Sequence, residues 1–487
     1  MRWFVYPLFV LLTVTAFAQP PAVLWNHSYG DGTSEEVHSV RPVPGGGFIL
    51  AGVTDEGSGY TAAWLLRADE DGEELWSSVN GGELANAVYY AEPTENGFIQ
   101  CGSTWSYSGN DSWDAYIGLL NADGSPEWQR LFGSATRNDW FNCARVVPDG
   151  GYIACGYLAN QPSLWRIGPQ GSVYWVRNQR EGEQNDFTFV EPVTDGFLAA
   201  MVDSSRFAVL RIESNGDFRW RYLDDEIGAA ECVRARDDGS IFACGYREPV
   251  GGMNRAWLVM RLSADGVPEW TDIIDDPAAQ TAEDLWFTAD DKLIVGGWSQ
   301  QPDGSVDRWL IKYDLDGNRL WQFTLPGGRA NSVAQAWDGS YVFAGTHGST
   351  PHESVDFRLF KTTPEVSVNV APLWNTVPPQ GQVLLFSADL SNILTELTSA
   401  DVWVRVTTPG GLSVPMSMHD LSVTLQPGST YSRPSTPLFV PGPAPGGVYT
   451  VIVYIGNQDE DQHLGVGSFR FFKNGQGTQD QQETRSR

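Results

Sequence analysis

The chain has 487 residues, more than one small core needs, and 60 Asp and Glu against 31 Lys and Arg give a formal net charge of −29. That balance repels nucleic acid and anionic membrane surfaces, so neither is an expected partner, while it leaves room for Ca²⁺. Twenty Trp and 52 Gly point to β-strands joined by many tight turns.

Residues 1–18 combine Arg2, an apolar run from Phe4 to Leu12 and the small-x-small stretch Ala16-Phe17-Ala18, the pattern of a cleaved secretory signal peptide. The run is too short to span a bilayer, and no later stretch reaches the length a membrane span needs. No Cys directly follows the expected cleavage point, which argues against a lipid anchor. The mature chain is expected outside the cytoplasm: in the periplasm, at the cell surface or in the medium.

From Val23 the chain repeats itself. Trp25, Trp76, Trp128, Trp175, Trp220, Trp270 and Trp321 recur at intervals of 45 to 52 residues. A second marker is a turn followed by a short apolar strand, as in Gly47 to Gly52, Gly97 to Gly102 and Gly151 to Gly156. It continues at Gly196, Ser240, Lys292 and Ser340. A third is a strand and an Asp-Gly or Asn-Gly turn before each Trp, as in Trp64 to Gly72 and Trp309 to Gly317; Gly accepts the positive φ such hairpins need. Four short strands per unit in tandem predict a β-propeller.

The seventh unit ends in Asp356 to Lys361 and then Thr362-Thr363-Pro364-Glu365, without the Asp-Gly turn. Trp374 lies too far beyond it to serve as its final Trp. Val23 to Ser28 supplies the missing fourth strand, pairing the two ends of the repeat region and leaving no exposed edge. The fold class expected for residues 19–365 is an all-β, seven-bladed β-propeller closed by its N-terminal strand.

Gly150 to Tyr157 and Trp309 to Trp321 carry motifs that resemble the tandem repeats of the secreted bacterial β-propeller repeat family, over roughly Val23 to Lys361. The resemblance implies the fold and little about activity, because its signature residues are turn and packing residues. The Asp-x-x-Gly-x-x-x-Trp shape is also similar to quinoprotein repeats. Those enzymes are typically eight-bladed, and their alcohol dehydrogenases use adjacent cysteines, which this chain lacks. The spacing of the sialidase Asp-box is not met.

Residues 366–473 leave the repeat. Apolar runs at Val366–Val370, Val383–Ala388, Val402–Val406, Leu421–Leu425, Val448–Ile455 and Phe469–Phe472 predict an immunoglobulin-like β-sandwich. Pro441 to Thr450 is similar to the strand entry of bacterial immunoglobulin-like accessory domains, with Tyr449 a candidate corner tyrosine. Residues 474–487 are polar and Gln-rich, the composition of a disordered tail.

Residues with chemistry are few. Cys143 and Cys155, like Cys232 and Cys244, bracket equivalent hairpin turns, which places each pair opposite across two strands. Two disulfides are expected in an exported chain, the alternative being four buried thiols used as small apolar residues. Cys101 has Tyr89 at its partner position and is read as a free thiol. No zinc spacing, Gly-x-Ser-x-Gly elbow or His-Glu-x-x-His motif exists. Asp314-x-Asp316-Gly317-Asn318 imitates the start of a calcium loop but lacks the closing Glu, so it is read as a hairpin turn. His347 and His352 share one loop with Glu353, read as solvated. No metal site is expected, and no cofactor beyond the room left for Ca²⁺.

In a propeller of this strand order, long loops share one face. Here they carry Trp105 and Trp113 (with Tyr107 and Asp111 between them) and run on from Trp298. Counting back equally from the second marker places His38, Val88, Asn142, Phe187, Glu231, Glu283 and Asn331 near the channel mouth. The binding candidates are therefore His38, Asn142, Glu231, Glu283, Asn331, Trp105, Trp113 and Trp298, since exposed aromatics favour contacts with partners. The expected function is an exported, non-catalytic binding or interaction scaffold whose ligand is an extracellular protein or a glycan. Two alternatives stand beside it: a propeller-type glycoside hydrolase or lyase using Glu231 and Glu283, and a structural cell-envelope component. The oligomeric state is open.

Overall fold

A computed structural model describes residues 20–30, 35–55, 60–80, 84–106, 112–133, 137–179, 185–248, 254–276, 278–347, 356–393, 398–415, 421–459 and 462–475. The expected signal peptide and almost all of the expected tail lie outside these residues, as do Tyr107, Asp111, His352 and Glu353. Every regular element described is a β-strand. Among the described residues no helix is long and apolar enough to cross a membrane.

Up to Thr362 the chain forms four-stranded antiparallel meanders in sequence order, over 36–80, 86–132, 140–178 and 280–326. Between them runs a seven-stranded sheet. Its 18-residue strand Phe218–Ala235 ends one set of four and begins the next. A last sheet takes Ser332–Gln335, Tyr341–His347 and Asp356–Thr362, and the strand beside Asp356–Thr362 is Val23–Tyr29. Trp25 faces Lys361 and Tyr29 faces Phe357, so the predicted pairing of the two ends is present. The first strand of each set neighbours the first strands on either side, and Glu36–Pro42 touches Ser332–Gln335, closing the cycle. Second strands are covered on both faces by adjacent sheets, which is why Gly97–Thr104 is buried at every position.

The recurring Trp and the recurring Asp-Gly turn are two halves of one contact. Trp76 Nε1 donates to the Ala122 carbonyl at 3.2 Å, in the turn of the next sheet. Trp128 does the same to Pro169 at 3.0 Å, Trp175 to Ser214 at 3.2 Å, Trp220 to Ala264 at 3.1 Å and Trp270 to Leu315 at 2.9 Å. The indole ring lies flat on the turn glycine. A Cβ added at Gly317 would sit 2.7 Å from the Trp270 ring, and its φ of +89° already excludes most side chains. Trp25, on the N-terminal strand, covers Gly72 in the same way. At this junction the turn carbonyl of Glu70 accepts from Lys361 Nζ at 3.2 Å, and His27 lies against Gly72 beside Trp25.

Trp321 has no such turn ahead of it. Its Nε1 donates instead to Glu365 Oε1 at 2.8 Å, and Tyr341 Oη donates to Glu365 Oε2 at 2.8 Å. Lys312, fully buried, pairs with Glu365 and, at 2.6 Å, with Asp290. Burial opposes the Lys312 charge, but the Asp290 and Glu365 carboxylates outweigh it and raise its pKa.

Beyond Glu365 two sheets pack face to face. One holds Val366–Pro372, Gly381–Asn392 and Thr430–Pro441; the other orders Thr376–Val377, Gln462–Lys473, Gly447–Asn457, Thr398–Thr407 and Ser413–Pro415. Leu384, Phe386 and Leu438 from the first meet Val404, Val451 and Phe471 from the second in one core. Tyr449 Oη donates to the Pro445 carbonyl at 2.7 Å, four residues upstream, the contact of a corner tyrosine. His463 meets the propeller side of the junction through a 2.9 Å contact from Nδ1 to the Trp337 carbonyl. A groove of about 1390 Å³ opens along this junction, between the turns at Asp237 and Asp290 and the module's Asn457.

Candidate functional site

The innermost strands carry a bulge at equivalent positions. Register breaks fall at His38, Tyr89, Asn142, Thr188, Glu231 and Glu283. Asn331 stands just before Ser332–Gln335 at the corresponding place. Each of these residues is partly exposed, while the residues on both sides of it are buried. An extra residue in one strand re-aims its side chain out of the sheet, and here it turns a polar group into the central channel. All the ring members are polar, including the two that equal counting misassigned. Val88 and Phe187 are packed in the core, and Tyr89 and Thr188 take the ring positions. The turn at Thr94–Gly97 closes over four residues where Val147–Gly151 takes five, and Val193 pairs directly with Gly196. One residue fewer in the turn shifts the count by one. For the same reason Cys101 faces Tyr90, not Tyr89.

Ring members reach round to the next sheet. Asn142 Nδ2 donates to the Phe187 carbonyl at 2.8 Å, Thr188 Oγ1 to Ala230 at 2.6 Å and Asn331 Nδ2 to Val37 at 2.8 Å. Each acceptor is the carbonyl just before the neighbour's bulged residue. His38 packs edge-on to Tyr89, ring centroids 5.2 Å apart, and burial lowers its pKa against the pull of the Glu36 charge. Burial and then the Glu283 charge raise Glu231 to about 8, with Arg255 opposing in part; burial also raises Glu283, against the Trp298 hydrogen bond and the Arg329 and Arg255 charges. Glu283 Oε1 accepts from Trp298 Nε1 at 2.7 Å, and Arg329 lies over the Trp298 ring at 4.4 Å. Trp298 is thus a buried support for Glu283 rather than an exposed contact.

Three residues further along the same strands a belt of charge closes the channel. Arg41, Glu92, Arg145, Glu191 and Arg234 alternate in sign from sheet to sheet. Asp284, from one turn of the pleat higher, completes the circuit. Arg145 Nε meets Glu92 at 2.6 Å and its Nη1 meets Glu191; Arg234 stands 3.5 Å from Glu191. Arg41 Nη1 lies 2.9 Å from Asp284 and 2.8 Å from Ser332 Oγ. The neutral Ser332 stands beside Arg41 and Asp284, its Oγ bonded to both. Each cation of the belt has a carboxylate neighbour, although Arg234 Nε and Nη2 are buried with no hydrogen bond among the described residues. Nothing in the composition announced it, because its members are far apart in sequence.

Beside the mouth, a cleft of about 660 Å³ runs between Trp140 and Tyr157 on one wall and Tyr246 and Glu248 on the other. Trp140 and Tyr157 stack at 4.9 Å and 18°. Asp186 Oδ2 accepts from Trp140 Nε1 at 3.0 Å and from Asn142 Nδ2 at 2.9 Å. Burial pushes Asp186 up to about 6 against the pull of these two donors. Of the binding candidates, Asn142 reaches this cleft through its hydrogen bond to Asp186; Asp186 itself lies two positions before the bulge of its strand.

Trp105 and Trp113 come together, centroids 6.2 Å apart, with Tyr60 edge-on to Trp105 at 6.3 Å. Trp105 and Trp113 lie between two strands of one sheet and Tyr60 comes from the preceding one, so the cluster bridges adjacent sheets. The predicted disulfides are corrected. Cys143 does face Cys155, and Cys232 faces Cys244, yet all five cysteines are free and buried. Their sulfurs turn into the layer between sheets: Cys155 Sγ lies 3.8 Å from the Phe187 carbonyl and Cys143 Sγ 4.0 Å from that of Val190. They fill space as small apolar groups. The Asp314 carboxylate is absorbed by its own turn, accepting from Asp316 N at 3.0 Å and Asn318 N at 2.8 Å.

Residues 288–319 match a β-propeller domain family described as a domain of unknown function (DUF5122). No curated protein matches the chain. Among solved structures, the WD40 domain of Pan2 from Neurospora crassa is similar over 71% of this chain and 98% of its own, with 11% identity and a TM-score of 0.50. A fungal alcohol oxidase covers 93% of this chain and 99% of its own at 11% identity and a TM-score of 0.46. The β-propeller domain of the trilobed protease from Pyrococcus furiosus covers 62% and 92% at 11% identity and 0.36. The chain is an all-β protein whose four-stranded sheets have β-propeller neighbours.

Proposed function

We propose that the protein is an exported seven-bladed β-propeller carrying an immunoglobulin-like module, and that it is a non-catalytic binding scaffold. The observation that carries this reading is the blind polar cup formed by the bulge ring above the closed charge belt. Asn142, Thr188 and Asn331 are spent on neighbouring backbones and Glu283 on Trp298, while the aromatic-walled cleft opens beside them. The ligand is an extracellular protein or a glycan met on this face. A glycan array and pull-down with the mature protein, with and without Ca²⁺, tests it; turnover of a polysaccharide in that screen would overturn it.

A glycoside hydrolase is the second reading, favoured by the adjacency of Glu231 and Glu283 at the mouth. Such an enzyme keeps one carboxyl protonated and one ionised. Here burial raises both, Glu231 to about 8, while the Trp298 hydrogen bond and the Arg329 and Arg255 charges draw Glu283 back down; polysaccharide turnover that is lost in Glu231→Gln would favour this second reading.

A further inference from the structure

The cleft beside the channel has a chemistry of its own. Its charged lining residues are Asp186 and Glu248, both acidic, and its rings are Trp140, Tyr157 and Tyr246. Asp186 is held in place on one side only. Oδ2 takes both hydrogen bonds, from Trp140 and Asn142. The Phe187 backbone N–H also lies near the carboxylate, yet Oδ1 is buried and has no hydrogen-bond partner among the described residues. A carboxylate oxygen with fixed orientation, removed from water and unpaired, costs free energy until a donor arrives. Aromatic faces next to a carboxylate favour a cationic donor, because the ring quadrupole and the carboxylate attract the same charge. Tyr246 already shows this preference: the Arg255 guanidinium lies over its ring at 4.0 Å.

Building on the binding reading above, we infer that this cleft takes an alkylammonium group, whose N–H donates to Asp186 Oδ1 while its carbon body lies along Trp140 and Tyr157. The volume, about 660 Å³, admits a residue-sized ligand with its neighbours outside. The ammonium belongs either to an amino sugar or to a lysine side chain, which share this recognition.

The test is calorimetric titration of the full mature protein with a glucosamine hexamer, its fully N-acetylated counterpart, and a lysine-containing peptide with and without lysine acetylation. The inference expects the free amine of at least one pair to bind 10-fold or more tighter than its acetylated form. Asp186→Asn should erase that difference, since the amide keeps an acceptor for Trp140 and Asn142 and loses the charge. Ile227→Lys, at an exposed lining residue, is the second variant; it plants a cation at the cleft and should cost the amine 10-fold or more even if Asp186→Asn does not fold. The sugar and peptide arms tell the two ammonium sources apart. Equal binding of free and acetylated probes would overturn the inference and leave the scaffold reading standing. Absence of amine binding, or amine binding unchanged in Ile227→Lys, would also overturn it; the scaffold reading is decided separately by the array.

Discussion

Arg41 and Asp284 are 243 positions apart in the chain and meet with Nη1 and Oδ2 at 2.9 Å, both side chains about 95% removed from solvent. Burial alone would weaken the Arg41 charge, and Asp284 with Tyr90 more than restores it; burial alone would raise Asp284, and Arg41 with Arg234 hold it down. Removing one partner strands the other. Arg41→Met is expected to destabilise the protein by about 3–5 kcal/mol, whereas Arg41→Met with Asp284→Leu recovers much of that loss. Urea denaturation of the single and double variants measures both.

Trp270 clamps one sheet to the next. Trp270→Ala removes a ring and an indole hydrogen bond, with an expected loss of about 3 kcal/mol. Gly317→Ala attacks the same contact from the other side, through both the clash and the positive φ. Because the two act on one contact, their effects should fall short of additive. Thermal melts of the two singles and the double decide this.

Glu231 and Asp186 make stability depend on pH with an unusual sign. Both folded-state values lie above the ordinary carboxyl values. Their stabilising protonation is complete below the unfolded values, and it is lost as pH rises through the raised ones. The propeller should therefore lose stability from these groups between about pH 4 and pH 8. Glu231→Gln removes part of that slope, so its melting temperature should gain on the wild type at pH 8 and not at pH 4.

Trp25 and the rest of Val23–Tyr29 supply the outer strand of the last sheet. Deleting the chain through Tyr29 exposes the edge of Asp356–Thr362 and uncovers Gly72 of the first sheet. A sharp drop in melting temperature is expected, together with concentration-dependent association through the freed edge. A truncated protein that melts like the intact one would show that Val23–Tyr29 does not hold the cycle closed.

Much of the cycle could be read from Trp25 to Trp321 and from the turns between them, because each Trp and the next Asp-Gly turn must touch. The pairing of Val23–Tyr29 with Asp356–Thr362 followed from the one unit that lacks its Trp. The site was read less well. His38, Asn142, Glu231 and Glu283 stand at the bulges of their strands and Asn331 at the corresponding place. Tyr89 and Thr188 were missed, because a turn one residue shorter leaves no mark in composition. Asp186 was invisible for a different reason. Its environment is made by Trp140 and Asn142 of the neighbouring sheet, and contacts between sheets have no periodicity in the chain. Glu365 illustrates the same limit: it replaces a turn carbonyl as the acceptor for Trp321, a substitution of function without any similarity of sequence.

The pairing of Trp25 with Lys361 also sets an order of events. Each inner sheet can dock on its predecessor as soon as both exist, through contacts between segments close in the chain. Closure cannot begin until Asp356–Thr362 has been made, and it must recruit a strand made first. The entropy of bringing such distant ends together grows only as the logarithm of their separation, but none of it is recovered until the last sheet is complete. The slow step of folding should thus be closure. Until then, Val23–Tyr29 is an unpaired strand waiting on a partner more than 300 residues downstream, and a chain that stops short of Asp356 leaves that strand free to pair with another molecule.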